Sequence, residues 1–155
     1  MGRRDYWQDP EAPKANSLVV AVSAVILNDS GEILMIERTD SGRWSIPGGA
    51  MEPGEAVSAA VERELLEETG YQVRVDRLVG VFADPEHIIE FDDGEVRQEF
   101  SICFRGVTIG GDARTSSESS QVVWLSRDKL TDHDIHPSIH RRIEAALGEG
   151  TPYFT

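Results

Sequence analysis

Apolar residues crowd two short runs early in the chain, SLVVAVSAVIL (residues 17–27) and the centre of EILMIER (32–38), with Asn28-Asp-Ser-Gly31 between them. Runs of this length, dense in Val and Ile and bounded by turn residues, predict two strands, and the turn predicts that they pair as a hairpin. TDSGR is then a loop carrying Arg43, and WSIPGG begins extended and ends in a glycine pair. The period changes after Pro53-Gly54. Glu55 to Thr69 contains no Pro or Gly, and Val57, Val61 and Leu65 recur every fourth residue, which predicts a helix with an apolar stripe. Gly70 stands where a left-handed C-cap belongs. YQVRVDRLVGVFA (71–83) reads as extended, DPEHIIEFDDGE as a loop or hairpin tip, VRQEFSICFRGVTI (96–109) as a long strand, GGDARTSSESS as a flexible loop and QVVWLS (121–126) as a short strand. Asp134 or His136 opens a last helix with Pro137 in its first turn and Ile139, Ile143 and Leu147 along one side. Strands interrupted by two helices predict a mixed sheet flanked by helices, an α/β fold. Residues 1–16, polar and holding Pro10 and Pro13, read as an arm pinned by Tyr6 and Trp7. Residues 17–148 form one domain and 149–155 a tail.

Composition narrows the partners. Among 155 residues, 28 are acidic and 15 basic, a formal charge of −13. Such a surface repels nucleic-acid polymers and anionic membranes, but it suits cations, which in turn recruit polyanionic small molecules. Cys103 is the single cysteine, so no intramolecular disulfide can form; alternating with Phe100, Ile102 and Phe104, it fills a strand face. A reducing, cytoplasmic setting is the expectation. Arg3 and Arg4 ahead of an apolar run mimic a signal peptide, but Asp5, Asp9, Glu11 and two prolines intervene, and no segment approaches 18 consecutive apolar residues.

The chemistry lies in GGAMEPGEAVSAAVERELLEETGY, residues 48–71, which holds six glutamates in 24 positions. Glu64, Glu67 and Glu68 are spaced i, i+3, i+4 and share one helix face, away from the apolar stripe. Three carboxylates within about one turn raise each other's pKa unless a cation lies between them. Hard oxygen ligands so placed suit Mg²⁺ or Mn²⁺, and magnesium usually bridges a few carboxylates to substrate phosphates. A solvated acidic face has the same spacing. Three neighbours favour the metal: Arg63, able to tie down a carboxylate; Pro47-Gly48-Gly49, a backbone that allows close approach; and Glu55, at the helix start where negative charge suits the dipole.

Gly49, then five residues, Glu55, seven residues, and Arg63-Glu64-Leu65-Leu66-Glu67-Glu68-Thr69-Gly70-Tyr71 resemble the Nudix box, G-x5-E-x7-R-E-U-x-E-E-x-G-U with U a bulky apolar residue, at every fixed position. The W-x-x-P-G-G lead-in and a late strand ending in Trp124 are also similar to that family. The resemblance implies an α/β/α sandwich with a mixed central sheet and hydrolysis of a nucleoside diphosphate linked to another moiety. It implies that Glu64, Glu67 and Glu68 ligate the metal with the Gly49 carbonyl, that Arg63 orients the glutamates and that Glu55 is mostly structural.

One carboxylate must accept a proton from the attacking water. Glu67 and Glu68 are candidates, and the resemblance adds Glu118, six residues before Trp124, which reads equally as a polar loop residue. Arg38 and, less so, Arg43 are candidates for phosphate contact, with a solvated surface role as the alternative for each. Trp44 reads as core packing more than as a base-stacking ring. His87 and His136 lack a second His or Cys at ligand spacing and read as structural. The NADH-type signature S-Q-P-W-P-x-P-x-S is absent. Pro85, fifteen residues past Gly70, leans toward ADP-ribose, and nucleoside triphosphates, oxidised nucleotides and dinucleoside polyphosphates stay open. A non-catalytic nucleotide sensor is the competing class, but sensors usually carry a damaged box and this one is intact. FDDGE (91–95) holds only a fragment of a calcium loop. Tyr6-Trp7 hints at an intersubunit contact, and members of the family are often dimers.

Overall fold

The computed structural model describes residues 2–155. Its strands and helices, in chain order, are β1 (Arg3–Trp7), β2 (Ser17–Leu18), β3 (Ala21–Ile26), β4 (Ile33–Arg38), β5 (Trp44–Ser45), β6 (Gly48–Ala50), α1 (Val57–Thr69), β7 (Tyr71–Phe91), β8 (Val96–Gly111), β9 (Ser119–Leu125), α2 (Pro137–Leu147) and β10 (Tyr153–Phe154), with a 3₁₀ helix at Arg127–Asp132. β3 is the pivot. It is buried on both faces, and alternation sends Val22, Ala24 and Ile26 one way and Ser23 and Val25 the other. The first set packs with Leu34, Val73 and the stripe of α1, Val61 and Leu65. Val25 packs with Met35, Cys103 and α2 residues Ile139 and Ile143. These two cores on opposite faces make an α/β sandwich with a helix on each side.

The main sheet runs β1-β7-β8-β3-β6, with β10 added along β7 and β2 along β8. β3 runs parallel to β8 while β7–β8, β1–β7 and β3–β6 are antiparallel, so the sheet is mixed. β5, β4 and β9 form a second, smaller antiparallel sheet.

Three expectations change. β3 and β4 do not pair as a hairpin. The Asn28 side-chain oxygen accepts from the backbone N–H groups of Ser30 and Glu32, and after a single bridge, Leu27 to Ile33, the chain leaves for the other sheet. Both strands are buried on both faces, so their apolar runs look alike whether they pair or pack. Next, DPEHIIEF is strand rather than loop: β7 runs 21 residues to Phe91, taking up Pro85 in an irregularity between Asp84 and Ile88, and only Asp92–Glu95 forms the turn. Finally, residues 3–7 of the polar arm are the edge strand β1, and Tyr153–Phe154 of the tail pair with Gly80 and Val81.

Both arm aromatics are engaged within the chain. The Tyr6 hydroxyl donates to Glu90. Trp7 packs edge-on against His87 and His136, whose rings stack 4.3 Å apart. His136 caps α2, its Nδ1 accepting from the Ser138 N–H. Burial, aided by His87, pushes its pKa down to about 4.

Candidate active site

The helix that carries the glutamates begins at Val57, two residues later than its sequence suggests. It ends at Gly70, whose φ of 80° is the left-handed conformation that glycine adopts without strain. With Val61 and Leu65 anchored in the core, Glu64 and Glu68 turn along the helix flank against β6 and Glu67 faces outward. Glu68 is 3% exposed and Glu64 8%. Burial drives the Glu68 carboxyl up to about 8; the Gly48 N–H, which donates to it at 3.3 Å, and the Arg38 charge oppose this only in part, while Glu64 and Glu118 add to it. Burial also raises the Glu64 pKa against the pull of Arg63.

Arg63 is the organiser. It donates two hydrogen bonds to the Glu55 carboxylate at 2.7 and 2.8 Å, one to Glu64 at 2.9 Å, one to the Ala50 carbonyl at 3.1 Å, and it reaches Glu67 at 3.3 Å. Glu55, one residue ahead of the N-cap, also accepts from the Glu52 N–H; hydrogen bonds from Arg63 hold its pKa down at about 2. Glu55 and Arg63 thus fasten the loop before α1 to the helix itself. Among the described residues no three His, Cys, Asp or Glu side chains converge on one point. Arg63 draws Glu64 and Glu67 toward itself while Glu68 turns to Gly48.

The donor set still fits a hard cation. Two buried carboxyls have pKa values that burial raises even against the neighbouring charges of Arg63 and Arg38, and a third, Glu67, stands one turn away. Gly49 gives the cradle: a Cβ there would come within 2.5 Å of the Glu64 carboxyl and force that carboxyl to shift.

The other predicted residues gather round the same edge. Ser119 in β9 donates to the Glu68 carbonyl at 2.6 Å, pinning the strand start to α1, and the Thr39 N–H donates to the Glu118 carbonyl. Glu118, exposed at the tip, lies close enough for its charge to act on Glu68, Glu64 and Arg38. Arg38 is held in a two-point pair by Asp40 at 2.9 and 2.7 Å, and Arg43 pairs with Asp134 at 3.4 Å.

Arg38 and Arg43 stand on the wall of a cleft of about 170 Å³ that runs from Gly48–Gly49 across the sheet face under the start of α2. The cleft takes residues to which sequence reasoning attached no site role: Arg3 and Asp5 of β1, Glu99 and Ser101 of β8, and Arg142 of α2, together with His87 and His136, which read as structural. One signal for them was present. Alternation in VRQEFSICF puts Arg97, Glu99 and Ser101 on the face that Cys103 turns into the core, an unusually polar stripe for a sheet face under a helix. Trp44 lies between roles, packed on the α2-side core and edge-on to His133 while also lining the cleft. Pro85 does not line it.

A profile of the NUDIX domain matches residues 17–147. The chain belongs to the Nudix hydrolase family. It is 35% identical over 143 residues to a "MutT-like protein" of Streptomyces ambofaciens, a match spanning 92% of this chain and 85% of that one. To a "Putative 8-oxo-dGTP diphosphatase" of Bacillus subtilis (strain 168) it is 34% identical over 106 residues, 68% of this chain and 65% of the other. Among solved structures, a NUDIX hydrolase from Nitrosomonas europaea superposes with a TM-score of 0.69 at 25% identity, covering 83% of this chain and 88% of that one. With every fixed box position filled, this Nudix chain is an enzyme of the pyrophosphohydrolase type, and the family generally uses divalent metal ions. No helix among the described residues is long and apolar enough to cross a membrane.

Proposed function

We propose that this Nudix enzyme hydrolyses the diphosphate linkage of a nucleoside diphosphate derivative, with the diphosphate over the β6 edge and the nucleoside in the cleft beneath α2. The observation that carries this is the junction at Gly48–Gly49. One side of that glycine pair faces the buried carboxyls of α1, and the other opens into a cleft walled by Arg38 and Arg43. Glu64, Glu67 and Glu68, with the Gly49 carbonyl, are the groups that would hold Mg²⁺ or Mn²⁺. Such a cation supplies positive charge that stabilises the reacting phosphoryl oxygens.

The chain's own residues do the rest. Arg38 and Arg43 balance substrate phosphate charge from the cleft side, and the Asp40 pair keeps the Arg38 guanidinium oriented. Arg63 sets the position of Glu64 and Glu67 and keeps Glu55 against the loop. Glu118 accepts the proton of the attacking water: it is exposed, its side chain makes no hydrogen bond among the described residues, and it sits beside the carboxyl cluster on a loop tied down by Ser119. Glu118→Gln should slow turnover by about 10²-fold with KM nearly unchanged; an unaltered kcat would return it to the role of a polar loop residue.

The substrate is a nucleoside triphosphate or an ADP-ribose-like diphosphate, and the lean toward ADP-ribose from Pro85 gains nothing from its position outside the cleft. A panel of nucleoside triphosphates and nucleoside diphosphate sugars, incubated with Mg²⁺ or Mn²⁺ and scored by mass spectrometry, tests the reading. Cleavage between two phosphorus atoms is expected. Absence of turnover across the panel would refute it.

A further inference from the structure

β1 lies outside the stretch that the family profile matches, residues 17–147, yet it reaches the active-site cleft. Its pairing with β7 sets Arg3 opposite Phe91 and Asp5 opposite Ile89, and alternation turns Arg3, Asp5 and Trp7 toward the cleft and α2 while Arg4 and Tyr6 face away. The start of the strand is fastened: the Gly2 N–H donates to the Asp92 carboxylate at 2.8 Å, and the Asp92 N–H donates back to the Gly2 carbonyl at 3.3 Å. From there charges of alternating sign run along the cleft wall. Asp5 holds Arg3 at two points, 3.2 and 2.8 Å. Arg3 Nη1 lies 3.6 Å from the Asp40 carboxylate, and Asp40 in turn holds Arg38 at two points.

Resting on the reading of Arg38 as a phosphate-contacting residue, we propose that Arg3 is a positioning residue for it, acting through Asp40. Asp40 sits two residues beyond β4, so its pair with Arg38 moves with its own loop. Arg3 belongs to the main sheet and Arg38 to the end of β4 in the smaller one, so the Arg3–Asp40 contact fixes the Arg38 guanidinium across the seam between the two sheets. The donors divide accordingly. Arg38 gives Nε and Nη2 to Asp40, and its Nη1 hydrogens, without a protein acceptor among the described residues, are left for a phosphate. Asp5 takes Nε and Nη2 of Arg3 and leaves Nη1 to face Asp40, a division that lysine, with one nitrogen, cannot reproduce. The charges are coupled as well: burial pushes the Asp40 carboxyl up, but the hydrogen bond and charge of Arg38 and the charge of Arg3 outweigh it and hold the group below the usual range.

The test is a double-substitution cycle in the full chain. kcat and KM are measured with Mg²⁺ on the nucleotide of the panel above that the wild type turns over fastest, and Tm is measured alongside. Arg38→Gln should raise KM by about 10- to 100-fold, as for the loss of a hydrogen bond between charged groups. Arg3→Gln should raise it by about 5-fold, the scale of a partly exposed ion pair, with kcat within about 2-fold of wild type. In the Arg38→Gln background the same Arg3 substitution should change KM by less than about 2-fold, because the group it positions is gone. Arg4→Gln removes an equal charge from the opposite, exposed face of β1 and should leave KM unchanged. If Arg3→Gln does not fold, Arg3→Lys, which keeps the charge beside Asp5, runs the same cycle. Equal KM effects of the Arg3 substitution with and without Arg38, a fall in Tm with no change in KM, or a rise in KM as large in Arg4→Gln would each overturn the proposal. Those outcomes leave the pyrophosphohydrolase reading standing, whereas a wild type that turns over nothing in the panel removes both.

Discussion

Glu68→Gln and Glu67→Gln should each lower the rate of diphosphate cleavage by about 10³-fold, equivalent to roughly 4 kcal/mol of transition-state stabilisation, while the protein stays folded. Glutamine preserves size and helix propensity but is a neutral, weaker ligand for a hard cation. Beyond that the two variants part, because the structure treats the two side chains differently. Glu68 is buried and its pKa of about 8 keeps it protonated at neutral pH. Glutamine resembles that protonated form, so Glu68→Gln should raise Tm in chelator at pH 8. Glu67 is exposed and reaches only Arg63, at 3.3 Å. A pair of that kind is worth about 0–1 kcal/mol, so Tm should hardly move in Glu67→Gln. If these glutamates were an ordinary solvated face, both variants would cleave substrate at near wild-type rates. That single measurement on folded protein would remove α1 from the active site.

How much of this could be read from the chain alone follows from where the constraints are local. The box is local. Gly49, Glu55, Arg63 and the three glutamates lie within one loop and one helix, and the stripe of Val61 and Leu65 fixes which flank of α1 they occupy, so the clamp of Arg63 on Glu55 and Glu64 is a matter of i to i+8 and i to i+1 neighbours. Gly70 was legible for the same reason. What was not legible depends on distant pairing. β3 and β4 have the same apolar density, and nothing in either run says that one pairs with β8 and the other with β9. β1 looks like a polar arm because its Arg3 and Asp5 are half-buried against β7 and each other, 80 or more residues from their partners in register. The cleft is assembled from six separate segments, so Glu99 and Arg142, 43 residues apart, carry no shared motif.

Removing divalent metal with EDTA should abolish turnover completely, and it should also expose a pH dependence of stability that metal conceals. The sign follows from Glu68. Its folded pKa, about 8, lies above the value near 4.5 of an unperturbed glutamate. Between those values the unfolded chain loses a proton that the folded chain keeps, so the unfolded state binds fewer protons and stability falls as pH rises. The loss begins near pH 4.5 and is complete above about 8, with a size on the order of 5 kcal/mol. His136 slopes the other way in part of the range: its folded pKa of about 4 lies below the ordinary value of 6.5, so stability rises with pH between those two values. The raw pH profile of the wild type therefore mixes two opposed trends below pH 6.5, and the informative quantity is the difference in unfolding free energy between wild type and Glu68→Gln, measured by denaturant titration in EDTA from pH 5 to 8.5. The variant should gain on the wild type steadily across that window. Adding Mg²⁺ should reverse the order at pH 8, because ligation requires the carboxylate and displaces its proton. A constant difference across the pH range, or full turnover of any diphosphate substrate in chelator, would contradict a buried, metal-binding Glu68.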